Sequence, residues 1–198
     1  MRFRRSPSAA FTLIELLTVI AILGILAAII IPTVSSARNA AHRAKTKAQF
    51  SQWAAAMELF RQEYGFYPDI AVAGKVDPDR FASELTGRSL TGAAVTGSTA
   101  NRKGLSFYAL SADDLDVDGT HLVDAFGNSD IGVRIDTNRD GIINASDTGS
   151  WVSVVGADGV FSPMAADEAI PTSGVRARVV FYSAGQGRDA NDLVLSWR

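Results

Sequence analysis

At 198 residues the chain is long enough for one ordinary domain plus an extra segment, and too short for two domains with separate full-sized cores. Lys and Arg total 19 against 21 Asp and Glu, a formal net charge of -2, so no overall positive field marks a nucleic-acid partner. The absence of cysteine excludes a disulfide, a thiolate metal site and a thiol nucleophile.

The first ten residues form a basic leader with Arg2, Arg4 and Arg5. Residues 11–31, FTLIELLTVIAILGILAAIII, then carry a single charge, Glu15. At about 1.5 Å per residue such a helix is roughly 31 Å long, enough to span a bilayer. Basic residues lie on both sides of the span, with Arg38, Arg43, Lys45 and Lys47 beyond it, so charge balance alone does not fix which end is cytoplasmic. An uncleaved signal anchor, or a signal peptide cut after Ser35, Ser36 and Ala37, accounts for the apolar run but not for Glu15. A carboxylate at membrane depth costs about 2.5–3.5 kcal/mol on insertion scales, which marks Glu15 as functional and calls for a partner charge.

The order Ala10, then Phe11-Thr12-Leu13-Ile14-Glu15-Leu16-Leu17, then an apolar run through Gly24 to Pro32, resembles the N-terminal signal of type IV pilins and type II secretion pseudopilins. The resemblance implies that a prepilin peptidase removes the leader between Ala10 and Phe11 and methylates the new amine of Phe11. Where the family nearly always has Gly before the cut, this chain has Ala10. The resemblance also implies a cytoplasmic leader, an anchor in the inner membrane and a head that is periplasmic, or extracellular after assembly. Within it, the Glu15 carboxylate is expected to pair with the Phe11 amine of a neighbouring subunit as helices join a filament. The implied partners are other pseudopilins, the peptidase, an inner-membrane assembly platform and membrane lipid, with no nucleic acid for the head.

Beyond the leader (1–10) and the assembly helix (11–32), residues 33–64 read as a stem helix, with Gly65 as its stop. Ala37, Ala41, Ala44 and Ala48 recur at helical spacing and make a small-residue face; Phe50, Trp53, Met57, Phe60 and Tyr64 make a bulky face expected to be core. The head, 65–198, changes to Gly, Ser, Thr, Asp and Asn between short apolar runs. A loop with one short helix near Phe81 to Leu85 is expected over 69–104, and strands over 131–135, 151–155, 175–182 and 193–197. Antiparallel strands against one helix make an α+β head, as the pilin-like fold requires. Three further stretches resemble the major pseudopilin of type II secretion: Phe60-Arg61-Gln62-Glu63-Tyr64-Gly65-Phe66-Tyr67-Pro68, the turn Asp124-Ala125-Phe126-Gly127-Asn128, and the closing segment 179–197. Residues 69–104 and 136–174 read as insertions.

Two loops are candidate calcium sites. Asp136, Asn138, Asp140 and Asp147 stand at positions 1, 3, 5 and 12 of an EF-hand-type or dockerin-type loop, with Gly141 at 6, the Ile142 carbonyl at 7 and Asn144 at 9. Strand-like flanks replace the paired helices, so a structural calcium clip joining strands is expected. The second loop is a family site by resemblance: Asp189 and Asp192 supply carboxylates, with Asn191 and the carbonyls of Ser183 and Gly185 as further oxygens. For an enzyme the inventory is poor. His42 lies on the charged stem, His121 follows the acidic loop of Asp113, Asp114, Asp116 and Asp118, and neither a G-x-S-x-G nor a phosphate-loop motif occurs. The expectation is a non-enzymatic subunit of a type II secretion pseudopilus that drives protein export. The alternatives are a type IV pilus subunit for adhesion, motility or DNA uptake, and a membrane-anchored calcium-binding or carbohydrate-related domain.

Overall fold

In a computed structural model the chain is described over residues 11–95, 99–165 and 170–198. It divides into two compact units, Met1–Ala40 and Ala41–Arg198. The first helix, α1 (Leu13–Tyr64), begins in the first unit and ends in the second, and its backbone stays helical through position 32. In the first unit the large apolar side chains face outward all round, from Leu13 at 82% exposure to Ile31 at 69%. This part of the helix is long and apolar enough to cross a membrane.

In the second unit the period-3.6 pattern is realised as expected. Phe50, Trp53, Met57 and Phe60 are wholly buried, and α1 ends at Gly65, which adopts φ +83° and donates its N–H to the Arg61 carbonyl at 2.8 Å. A second helix, α2 (Pro78–Thr86), is capped by Asp77, whose side chain accepts the Arg80 N–H. A five-stranded antiparallel sheet takes the order β1-β2-β3-β6-β7, with β1 Ala71–Val72, β2 Lys75–Val76, β3 Ile131–Ile135, β6 Val179–Ser183 and β7 Val194–Leu195. A separate hairpin pairs β4 (Val154–Gly156) with β5 (Gly159–Phe161). One long N-terminal helix with a small antiparallel sheet is the α+β arrangement of a pilin-like fold.

Both faces of the sheet are covered. Ile131, Val133, Val179 and Phe181 face α1 and α2, while Val180, Tyr182 and Leu195 face a second apolar layer with Val154, Ile143 and Val175. The segment read as an insertion over 136–174 supplies much of that layer. Burial on two sides explains why the β6 run Val-Val-Phe-Tyr-Ser lacks polar alternation. Tyr182 lies over Gly132 so closely that a Cβ there would stand 2.2 Å from its ring, which is why the centre of β3 has glycine. Burial pushes the Tyr182 hydroxyl up to about 12, and it donates to the Val152 carbonyl at 2.9 Å.

Several element boundaries differ from expectation. The strand expected from 175 starts at Val179, because Val175 exchanges both backbone hydrogen bonds with Ile143. The strand expected over 151–155 starts at Val154, since the Val152 backbone is tied to Tyr182. The closing strand is confined to Val194–Leu195, after which Trp197 packs on Trp151 and Tyr182. Residues 69–104 hold the β1–β2 hairpin besides the expected short helix.

Candidate functional site

The leader and Ala10, on the near side of the expected cut, lie outside the described residues. Phe11 is 73% exposed. Thr12 is the N-cap of α1 and Glu15 its third residue, and the two close a reciprocal cap. The Thr12 N–H and hydroxyl donate to Glu15 Oε2 at 2.8 and 2.6 Å, and the Glu15 N–H reaches Thr12 Oγ1 at 3.3 Å. The carboxylate thus sits at the positive end of its own helix, held by donors from one side and open on the other. Sequence reading singled out Glu15 and missed Thr12, although Thr-x-x-Glu before an apolar run is a capping signature. Along the stem, Ala37, Ala41, Ala44 and Ala48 are all exposed.

The 136–147 loop brings its expected residues together in one hydrogen-bonded turn. Asp136, 3% exposed, accepts the Arg139 N–H at 2.6 Å and the Gly141 N–H at 2.8 Å. Asp147, 5% exposed, accepts the N–H groups of Thr137, Asn138 and Asn144. Burial raises the Asp147 carboxyl, but these N–H bonds outweigh it and hold the group below its ordinary value. Asn138 and Asp140 bond each other at the exposed end, the Asp140 carboxylate also accepts the Ile142 N–H, and Asn144 Oδ1 accepts the Ser146 N–H. Arg134 from β3, 4% exposed, donates to the Asn144 carbonyl at 3.1 Å and stacks on Trp151. Among the described residues, no group of three or more His, Cys, Asp or Glu side chains is placed to hold a metal ion.

The closing loop is organised differently. Ser183 is wholly buried and donates to Asp124 Oδ2 at 2.6 Å, while the Gly185 carbonyl accepts Asn128 Nδ2 at 2.7 Å. Asp189 caps the short turn Ala190–Asp192, and Asp192 faces the Arg43 guanidinium at 3.7 Å. Asp124 also accepts the N–H groups of Phe126 and Asn128, and the Ala125 N–H reaches Thr46 on the stem. The turn 124–128 therefore ties stem, β6 and closing loop into one knot.

The acidic loop is anchored to the stem and within its own turn. Asp114 is buried and accepts from Gln49, Tyr108 and Ser111; Asp113 pairs with Lys45; Asp116 pairs with His121. His42 lies elsewhere, its ring 5.3 Å from that of Phe126.

The prokaryotic N-terminal methylation motif matches residues 5–31. The chain is also 37% identical over 65 residues to type II secretion system core protein G of Pseudomonas aeruginosa, a match covering 33% of this chain and 46% of that protein. Its N-terminal segment is that of the pilin and pseudopilin superfamily. The chain spans just under half the length of this pseudopilin relative. No solved structure matches it. The superfamily segment coincides with the apolar start of α1 and includes both Thr12 and Glu15.

Proposed function

We propose that the chain is a structural subunit of a type II secretion pseudopilus, cut between Ala10 and Phe11 by a prepilin peptidase and polymerised through its N-terminal helix to drive protein export. The observation that carries this reading is the self-capped Glu15 at the start of an apolar helix without protein cover. Such a carboxylate is stable in a waiting subunit and still has lone pairs for a neighbour's amine. The anchor lies in the inner membrane, with the head outside. The similarity to a type II secretion core protein favours secretion over a type IV pilus. Deleting the gene should abolish export of secreted proteins while surface fibres persist; loss of fibres with normal export would assign the chain to a pilus.

Calcium belongs to the same proposal. The 136–147 loop offers hard oxygens from Asp136, Asn138, Asp140, Asn144 and Asp147 with the Ile142 carbonyl, the donor type that calcium takes. Their hydrogen-bonded carboxylates retain acceptor capacity. Gly141 at φ +83° makes the sharp turn with its N–H on Asp136, and Ile143 joins the loop to Val175. Bound there, calcium would neutralise buried acids and fasten the second layer onto the sheet. The 183–192 loop is the weaker candidate, since Asp192 already faces Arg43. A chelator should lower the melting temperature of the detergent-solubilised chain, and Asp136→Ala with Asp140→Ala should remove that sensitivity. An unmutated chain that melts identically with and without chelator rules out the clip.

A further inference from the structure

β3 carries a charge into the second layer. Arg134 is 4% exposed, and its Nη2 donates to the Asn144 carbonyl at 3.1 Å while the guanidinium carbon lies 5.5 Å from the centre of the Trp151 ring. Its Nη1 sits so close beneath Gly149 that a Cβ there would stand 3.2 Å away. Arg134 thus touches residues on both sides of Asp147, and the Asn144 whose carbonyl it holds donates its own N–H to that carboxylate. Asp136 follows Arg134 by two positions. Among the described residues, Nε and Nη1 have no hydrogen-bond partner and no carboxylate is ion-paired with the guanidinium. Arginine keeps its proton at every working pH, so the charge is permanent, and burying it with one hydrogen bond is costly unless neighbouring acids offset it.

The offset is uneven. Asp136 and Asp147 place two buried carboxylates in the turn, and Asp140 adds a third at its exposed end. The other cations around the loop are directed elsewhere. Arg139 is exposed and donates to the Gly65 carbonyl at 3.4 Å, Arg61 pairs with Glu58 at 3.0 Å, and Arg178 lies 3.7 Å from the same Glu58 oxygen. Three acids against one buried guanidinium leave the turn two charges short of neutrality. A divalent cation closes that gap and a trivalent one overshoots it, so the arginine changes which ion the acids hold best.

We propose that Arg134 sets the charge of the 136–147 site: its buried guanidinium supports the loop through the Asn144 carbonyl and supplies one permanent positive charge that makes the site prefer a divalent cation over a trivalent cation of the same size. Arg134 touches no metal in this role. It acts through the loop it supports and through its field, which is strong because little water screens it. Before metal binds, the same charge offsets Asp136 and Asp147 and helps to keep the empty loop closed. The inference rests on the reading of residues 136–147 as a calcium loop and adds what fixes the charge of ion it takes.

Calcium and terbium ions have nearly the same radius and the same preference for oxygen ligands. The ratio of their affinities therefore cancels a loss of loop geometry common to both and reports charge. In the detergent-solubilised full chain the two ions are titrated in competition, with terbium emission excited through tryptophan as the signal. Arg134→Met, neutral and of similar length, should shift the ratio toward terbium on the order of tenfold. Arg134→Lys keeps the charge and should hold the wild-type ratio. An apolar side chain of similar volume commonly replaces a buried charge without loss of the fold, and Arg134→Gln, neutral but still able to donate to the Asn144 carbonyl, takes its place if the Met variant does not melt cooperatively. An unchanged ratio in the neutral variant overturns the inference and leaves the metal site standing. An equal shift in Arg134→Lys overturns it as well, because geometry and not charge then sets the preference. If neither ion binds the unmutated chain, or if binding survives Asp136→Ala with Asp140→Ala, the calcium reading of the loop fails and the inference with it.

Discussion

Replacing Trp53 with Ala is expected to cost the head about 3–5 kcal/mol, the range for truncating a buried large aromatic. Trp53 is wholly buried, and its ring lies 5.5 Å from Phe50, 4.8 Å from Phe81 and 5.5 Å edge-on from Phe181. It therefore joins α1, α2 and β6 at one point. Removing it opens a cavity between three elements whose other side chains are fixed by the sheet and cannot collapse into it together. For a head of this size about 1 kcal/mol shifts the melting midpoint by roughly 2–4 °C, so a fall of about 6–20 °C should appear in thermal unfolding of the solubilised chain. Leu59→Ala on the same helix is the control, because Leu59 is 50% exposed and should shift the midpoint little. Equal shifts for the two variants would mean that the bulky stripe is not the centre of the core.

Glu15→Ala is expected to leave leader removal intact and to abolish filament assembly. The substitution removes a group that costs about 2.5–3.5 kcal/mol to place at membrane depth, so the variant subunit should insert at least as well as the wild type. A loss of cross-linked multimers of the chain in membranes would then report the missing charge and not a missing subunit. Glu15→Gln separates charge from capping: an amide oxygen can still accept from Thr12, as the carboxylate does at 2.8 and 2.6 Å, but it cannot form an ion pair with an amine. Both variants should fail in assembly. Wild-type multimer levels in Glu15→Gln would show that Glu15 acts as a helix cap alone.

What could be read in the sequence was periodic or carried by a motif. The stripe from Phe50 to Phe60 declared the core face of α1, because helical spacing of large apolar residues has few other uses. Ile131–Ile135 appeared with its expected bounds, and Asp136 to Asp147 folded as one loop. The parts that escaped depend on chain segments that meet only in three dimensions. The β1–β2 hairpin has strands of two residues joined by Ala73 and Gly74, and Ala73 at φ 50° is an uncommon residue for such a turn. β5 was missed although Asp158-Gly159 is a hairpin signal, because the strand itself is only three residues long. The second layer was the largest omission. Its cue was Gly132 in the middle of an apolar strand, a mark of close approach, but nothing in the sequence says that Tyr182 is what approaches.

The two regions divide the work. The first unit contains the shared superfamily segment, with one carboxylate, Glu15, held by Thr12 at the start of an apolar helix. The head contains the layer over the outer sheet face and the 136–147 loop.

The account rests on processing at Phe11. Intact mass and N-terminal sequencing of the chain extracted from membranes of cells with a prepilin peptidase tests it most directly. The account predicts a mature chain that starts at N-methylated Phe11 and lacks residues 1–10. A chain that keeps Met1, or one that starts near Asn39 after cleavage by ordinary signal peptidase, would contradict it.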